Sequence, residues 1–501
     1  MKMKINVKKI MQRYVFFCYK NVSEWRKNCV SEIKKSIEGT RVAFLNLGCK
    51  VNAYETEAMQ QQFQKAGATL VGFQDIADVY IVNTCSVTNI ADRKSRQMLH
   101  RAKHKNPEAV VVAVGCYVQT AGDELLKEEG IDLAVGNNKK SELLALVENF
   151  LQERVKNRVI MDINGTAVYE EMSLETVMEK TRAYIKIEDG CNQFCSYCII
   201  PYARGRVRSR KEEDVIDEVK RLAANGYQEI VVTGIHLSSY GMEQKENKER
   251  ASEFDEKIGK TSAAPLLALL KKLQTIDGIE RIRLGSLEPR VMTEAFVKEL
   301  SELSKICPHF HLSLQSGSDA TLKRMNRKYN TAEFQEAVER IRTFFVQPAI
   351  TTDVIVGFPG ETEEEFAQTK QFLSEIHFSK MHIFKYSRRK GTVADRMKEQ
   401  VLDQIKAVRS DVLLALDEEE ETAYMKQFVG TKEAVLFEEE IVLAGKKYHI
   451  GYTKRYVRVA VPVEQDDENL TNQIHFVQIT DFLQKDLLIG KISIEFLPEL
   501  Y

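Results

Sequence analysis

The sequence predicts an α/β protein in three parts: an open parallel-sheet domain over residues 40–152, a run of six β/α pairs over 177–407, and a small β domain over 410–490. Three observations predict it. Arg41–Leu47, Val79–Thr84 and Val110–Val114 are continuous apolar runs, which suit parallel strands covered on both faces. From residue 183 to 386, apolar runs alternate with helical patterns, the order expected of parallel β/α units. Short alternating segments appear only after about residue 430.

Bulk properties agree with this division. A chain of 501 residues suits about three domains, and 44% hydrophobic residues suffice for packed cores. The formal net charge of −1 excludes a global basic field, so any nucleic-acid contact must be local. No run approaches the roughly 18 apolar residues of a membrane span. Nine cysteines is an odd number, six of them in ligand-like settings, which argues for a reducing cytoplasm rather than a disulfide scaffold.

Residues 1–39 read as a poorly ordered extension. Residues 1–40 carry ten Lys/Arg against three Glu, and the apolar stretch at 14–19 is too short for a signal-peptide core. Cys18 and Cys29 have no metal spacing and read as free thiols; the single tryptophan, Trp25, is also here.

In the first domain each apolar strand runs into a cysteine: Gly48-Cys49, Cys85 and Gly115-Cys116. The gaps are 36 and 31 residues, each about one βαβ unit, with helices expected near 55–66 and 90–104. Open α/β sheets bind ligands at the carboxyl ends of their strands. Three distant thiols should therefore converge on one point; the alternative is three buried core cysteines.

The second set is local. Cys191, Cys195 and Cys198 fall at i, i+4 and i+7. Thiolates at that density select zinc or iron–sulfur chemistry. A closed zinc site wants a fourth ligand nearby, but the next candidates are His236 and Cys307. Three ligands on a four-iron cube leave one iron open to a small molecule. Candidate strands follow at 183–188, 229–234, 281–286, 310–315, 350–357 and 380–386, with helices near 211–225, 264–275, 291–306, 331–344 and 361–376. Polar motifs follow the strands, among them Gly190-Cys191, Gly234-Ile235-His236, Ser286-Leu287-Glu288-Pro289 and Gly357-Phe358-Pro359-Gly360, which places them on the ligand-binding face. Gly234 and Gly357 would let backbone approach the ligand. Arg204, Arg206, Arg208 and Arg210 suit phosphate contacts or, equally, a solvated patch. Residues 242–263 read as a charged surface loop, and Cys307 as structural.

At the C-terminus a helix over about 402–427 leads into strands at 433–437, 440–444 and 447–452, with a turn at Gly445-Lys446. Tyr452, Lys454, Tyr456 and Arg458 would share one strand face, opposite Val457, Val459 and Val461. Aromatics interleaved with cations suit unpaired bases and phosphates; an ordinary solvated face is the alternative.

The C-x3-C-x2-C spacing with Tyr197 before the last cysteine closely resembles the signature of the radical S-adenosylmethionine (SAM) enzymes. That resemblance implies a partial (β/α)6 barrel, SAM on the open iron, Tyr197 near its adenine, and Gly234 and Gly357 bordering it. Gly48–Glu57, Asn83–Thr88, Lys94–Gln97 and Val114–Cys116 resemble the amino-terminal domain of the methylthiotransferases. Lys50-Val51-Asn52 and Ser86-Val87-Thr88 resemble the branch acting on threonylcarbamoyladenosine in tRNA, where the isopentenyladenosine branch usually has Gln-Met-Asn at the first position. The likeness runs from 41 to about 490, and its last part resembles the TRAM domain, a small RNA-binding β-barrel.

What the family likeness implies is specific. Cys191, Cys195 and Cys198 would hold the 4Fe-4S cluster that cleaves SAM; Cys49, Cys85 and Cys116 would hold an auxiliary 4Fe-4S cluster presenting sulfur. No catalytic side chain beyond these ligands is implied. Partners would be the tRNA anticodon stem-loop and an electron donor such as flavodoxin or ferredoxin, with no membrane. Alternative targets are isopentenyladenosine in tRNA or a ribosomal-protein aspartate; an alternative of another class is a non-catalytic iron–sulfur RNA-binding protein.

Overall fold

The computed structural model describes residues 36–122, 125, 130–174, 181–242, 263–463 and 469–493. Cys18, Trp25, Cys29, nearly all of the charged insertion and the last residues lie outside the described residues.

The first domain is a parallel sheet of β1 (Arg41–Asn46), β2 (Thr69–Val71), β3 (Val79–Thr84), β4 (Val110–Gly115), β5 (Leu133–Val135) and β6 (Asn157–Val159), in the order β2-β1-β3-β4-β5-β6. Every residue of β3 and β4 is buried, which is why these strands are apolar on both faces. The helices Lys50–Lys65 and Asn89–Lys105 follow β1 and β3; Thr88 caps the second by accepting the Ala91 N–H. Two differences from the sequence reading arise at the domain's edges. Ile37 is fully buried and its N–H donates to Glu148, so the domain begins inside the expected extension. β6 lies beyond residue 152, where the sequence reading ends this domain; it is a three-residue edge strand with no apolar run to announce it.

The central domain has β7 (Arg182–Lys186), a short antiparallel pair β8 (Glu188–Asp189) and β9 (Arg208–Ser209), then β10 (Glu229–Thr233), β11 (Arg281–Leu284), β12 (His309–His311), β13 (Ala349–Val356) and β14 (Lys380–Lys385). Strands β7, β10 and β11 form one parallel sheet and β12, β13 and β14 another. Bridges Ile282–Ile306 and Leu287–Leu312 join them into one open arc in sequence order. Helices begin where short polar side chains cap them: Asn330 with Glu333, and Thr362 with Glu365, form capping boxes. The helix expected over 291–306 is shorter, Glu294–Ser301, because Pro289–Val291 forms a 3-10 turn and Thr293 is the cap. A further helix at Asp319–Arg324 has no long apolar stripe to announce it. One hydrophobic cluster runs from Val42 and Ile81 in the first sheet to Ile185 and Leu284 in the barrel, so the two domains share a core.

The helix Asp403–Lys426 leads to a closed barrel of β15 (Lys432–Leu443), β16 (Lys446–Thr453), β17 (Arg458–Pro462), β18 (Ile474–Gln484) and β19 (Leu487–Ile492). Two expected strands are one, bulged between Phe437 and Glu439. The hairpin turn is Ala444-Gly445, one residue earlier than expected, with both φ angles positive as its type requires. Val457, Val459 and Val461 point into this barrel's core.

The opposite face is not what the alternation implies. The chain turns at Lys454-Arg455, and Tyr456 takes φ 65°, so Tyr452, Lys454, Tyr456 and Arg458 do not line one strand. Tyr452 and Tyr456 stack with centroids 4.8 Å apart, and the Arg182 guanidinium lies 4.9 and 4.8 Å from the two rings. Arg281 donates to the Tyr452 and Ala434 carbonyls, and Arg283 to that of Lys454. This aromatic–cation surface docks the small barrel onto the strand-start end of the central one, with Tyr456 still 40% exposed.

Candidate active site

The first thiol group is built by adjacent strands. β1, β3 and β4 are neighbours in the sheet, spaced about 4.8 Å apart, and each delivers a cysteine just past its carboxyl end. Cys49 is the cap residue of the helix Lys50–Lys65, Cys85 directly follows β3, and Cys116 opens the helix Cys116–Ala121. Gly48, at φ 114°, has no room for a side chain: a Cβ would lie 2.9 Å from Cys85 Cβ and 3.0 Å from its Sγ. Asn52 fixes both loops, its amide donating to the Leu47 carbonyl at 2.7 Å and the Thr84 carbonyl at 3.0 Å. Burial pushes the Cys85 thiol up to about 11, reinforced by Cys116 and Cys49 and opposed by the Val87 N–H. The Asn137 amide lies 3.5 Å from Cys116 Sγ.

The second group sits in the loop between β8 and the helix Ile200–Ala203. Burial and the neighbouring thiols hold Cys191 far above its usual range, and Cys198 is raised to about 12 by burial and Cys195. The Gln193 N–H approaches Cys191 Sγ at 3.5 Å and Arg327 donates to Cys195 Sγ at 3.1 Å. Such donors stabilise thiolate and tune iron–sulfur clusters. Arg327 also meets Glu288 at 3.2 Å; burial opposes ionisation there, but His236 and Arg327 hold the carboxylate down to about 2.

One thiol group lines a cavity that the loop after Cys85 also reaches. A cavity of about 360 Å³ is lined by Cys191, Cys195, Tyr197 and Cys198 and, across it, by Val87 and Thr88 from the Cys85 loop. Tyr197 packs edge-on to Phe358, ring centroids 6.4 Å apart. Neither triplet is drawn tight enough for one ion. Thiolates on a single zinc lie within about 4.6 Å, twice a Zn–S bond. Among the described residues the set with ligand atoms within 4.8 Å of one another is His311, Asp353 and His382, with no cysteine in it. Two sets of three spread soft donors, each supported by N–H groups, fit iron–sulfur cubes.

The domains meet around buried charge. Glu55 accepts from Lys140, from Lys186 at 2.7 Å and from Arg204 at 2.8 Å, all fully buried. Arg204 also reaches Asp189 at 3.1 Å and donates to Asn52 at 2.6 Å. Asp189 precedes Gly190-Cys191, so one ion network ties the loops of both thiol groups together. A second bridge crosses opposite: Arg389 pairs with Asp92 at 2.7 Å and donates to Ser86 at 2.8 Å.

Several expected site residues play other parts. Arg204, Arg208 and Arg210 are buried, and Arg210 pairs with Glu218 and Glu171; of the four arginines only Arg206 is exposed, over the Phe194 ring at 4.4 Å. Gly234 and Gly357 do not line the cavity. A Cβ on Gly234 would lie 2.8 Å from Glu188 Oε2, and one on Gly357 2.3 Å from Lys406 Cγ, so close protein packing leaves neither position room for a side chain. Asn52, Glu55 and Glu288 enter the sequence reading only as members of motifs, with no role of their own, and Arg327 not at all. Cys307 is fully buried, as a structural cysteine should be.

Comparison with known proteins agrees with this geometry. Residues 185–373 match the radical SAM superfamily, and residues 41–136 match the uncharacterized protein family UPF0004. The chain is 40% identical over 427 residues to the threonylcarbamoyladenosine tRNA methylthiotransferase MtaB of Bacillus subtilis (strain 168), covering 85% of this chain and 91% of that one. It belongs to the radical SAM methylthiotransferases. The MtaB protein of Aquifex aeolicus (strain VF5) is 41% identical over 81% of this chain and 95% of its own. A tRNA-2-methylthio-N(6)-dimethylallyladenosine synthase of Methylacidiphilum infernorum is 34% identical over 83% and 87%. Among solved structures, the radical SAM methyltransferase TsrM of Kitasatospora setae aligns with a TM-score of 0.51 at 15% identity, over 69% of this chain and 72% of that one, a likeness of fold alone. As a radical SAM enzyme this methylthiotransferase uses SAM and a 4Fe-4S cluster. No helix among its described residues is long and apolar enough to cross a membrane.

Proposed function

We propose that this enzyme converts N6-threonylcarbamoyladenosine at position 37 of tRNA to its 2-methylthio derivative, in the cytoplasm. The observation that carries the reading is one cavity lined by Cys191, Cys195 and Cys198 and by Val87 and Thr88 of the loop that follows Cys85. Cys191, Cys195 and Cys198 would hold the SAM cluster and Cys49, Cys85 and Cys116 a second 4Fe-4S cluster. When bound, these groups supply a radical able to open an unactivated aromatic C–H and the sulfur and methyl that replace the hydrogen. The chain's own part is placement. Asn52 and Glu55 hold the two loops in register, Arg327 charges the Cys195 side of the cavity, and Tyr197, Phe358 and Ile355 keep that side dry. The substrate is the anticodon stem-loop, with the base turned out of its stack into the cavity. A low-potential donor such as flavodoxin or ferredoxin supplies electrons. The C-terminal barrel would also contact the RNA. The 40–41% identity to two MtaB proteins, against 34% to the dimethylallyladenosine synthase, favours the threonylcarbamoyl substrate.

Mass spectrometry of tRNA nucleosides from a deletion strain tests it. The 2-methylthio derivative of threonylcarbamoyladenosine should vanish, return with the wild-type gene and stay absent with Cys49→Ala. Unchanged levels in the deletion strain would refute the substrate, and full rescue by Cys49→Ala would refute the second cluster.

A further inference from the structure

We propose that His311, Asp353 and His382 form a binding site for a divalent transition-metal ion of the zinc class, separate from both thiol groups. The three residues come from the neighbouring strands β12, β13 and β14. His382 stands directly opposite Asp353 in the β13–β14 pairing, and His311 stands opposite Thr351, one same-face step before Asp353. Side chains two residues apart on a strand share a face. Ser313, Ile355 and Phe384, each two residues beyond one of the three, line the active-site cavity, as does Asp353 itself. All three side chains therefore turn toward the inside of the open arc. Their donor atoms lie within 4.8 Å of one another.

These donors converge without being spent on one another. His311 Nε2 and Asp353 Oδ2 are 3.4 Å apart, longer than the roughly 2.7–3.2 Å of an ordinary N–H···O bond. Among the described residues, neither the Asp353 carboxylate nor either ring nitrogen of His382 makes a hydrogen bond. The two imidazoles stack with centroids 5.9 Å apart, which leaves their nitrogen edges uncovered. Donors on a tetrahedral ion with bonds of about 2.1 Å stand about 3.4 Å apart. The His311–Asp353 gap already has that length, and the third donor has little further to close. His311 Nδ1 meets Thr351 Oγ1 at 2.9 Å, which leaves Nε2 turned to Asp353; ligating imidazoles are commonly oriented through the other nitrogen in this way. An ion pair alone would account for His311 and Asp353 but not for His382 at the same point. Two imidazoles with one carboxylate suit zinc and similar borderline ions, whereas magnesium and calcium take oxygen ligands. Three protein ligands leave the fourth position of a tetrahedral ion to water, or to an oxygen from the cavity that Asp353 lines.

The test is zinc binding to anaerobically reconstituted protein, read by metal analysis and by zinc K-edge X-ray absorption, and it needs no tRNA substrate. One zinc per chain should survive desalting with the iron content unchanged. Its ligands should be nitrogen and oxygen at about 2.0–2.1 Å, without sulfur at about 2.3 Å. His382→Ala, at an exposed strand position, and Asp353→Asn should lose the zinc and keep the iron of the wild type. Thr351→Val keeps all three ligands and removes the contact to His311, so it should weaken zinc binding about 10–100-fold. Zinc held equally well by His382→Ala protein with full iron would overturn the site. So would a shell made of sulfur, or wild-type protein that retains no zinc.

Discussion

Replacing Glu55 with Gln should detach the two halves of the active site more than any change to an exposed charge. In the folded chain this carboxylate accepts from Lys186 at 2.7 Å, from Arg204 at 2.8 Å and from Lys140, with none of the four side chains reaching solvent. At an effective dielectric of about 20, a full charge pair at 2.7 Å is worth about 6 kcal/mol before desolvation. Desolvation removes several kcal/mol per ion, so the intact network is close to neutral in net stability. Removing one partner is different, because Lys186 and Arg204 would remain buried with Asp189 as their shared carboxylate, and Lys140 would lose its ion pair. Breaking a buried pair in this way costs about 3–5 kcal/mol. For a unit of 150–250 residues that corresponds to a fall of about 6–20 °C in melting temperature. Thermal unfolding of reconstituted Glu55→Gln protein, followed by circular dichroism and by loss of iron–sulfur absorbance, measures both consequences. Iron should be lost first, since Asp189 holds the loop that begins at Cys191. Lys140→Met in the Glu55→Gln background should recover part of the loss, because it removes one of the stranded cations. A cost below about 1 kcal/mol, or strict additivity of the two changes, would refute the reasoning.

Three further outcomes follow from the same geometry. Arg206→Ala should cost only about 0.5–1 kcal/mol, the worth of its contact with the Phe194 ring, whereas Arg210→Ala, which strands the buried Glu218, should cost about 3–5 kcal/mol; equal urea midpoints would contradict both burials. Gly357→Ala meets φ 72° and Lys406 Cγ at 2.3 Å and should lower stability by about 1–3 kcal/mol without changing SAM affinity; a selective loss of SAM binding would restore the glycine's cofactor role. Glu288, held at about 2 in the fold, contributes about 3 kcal/mol that is fully present above its unfolded pKa of about 4.5 and is lost as pH falls from there toward 2. Acid unfolding followed by far-UV circular dichroism should therefore be steeper in wild type than in Glu288→Gln; identical curves would remove the Arg327–Glu288 pair from the account.

The sequence by itself determined the pieces whose information is local or strictly periodic. The local cysteine triplet, the buried runs that become β1, β3 and β4, and the order of the six barrel strands could all be read directly, because burial on both faces forces uninterrupted apolar residues. It also placed Cys49, Cys85 and Cys116 at strand ends, and strand adjacency then brings them together.

What only tertiary structure decided is the pairing of charges and the use of surfaces. Nothing local to Arg204, Arg208 and Arg210 says that Glu55, Asp189 and Glu218 will bury them, since the partner Glu55 lies 149 residues from Arg204. Nor does alternation in Tyr452–Arg458 reveal that Arg182 and Arg283 will pack over the aromatic rings. A side chain's burial depends on what another domain brings to it, and the free energy of a charge follows that burial rather than its neighbours in sequence.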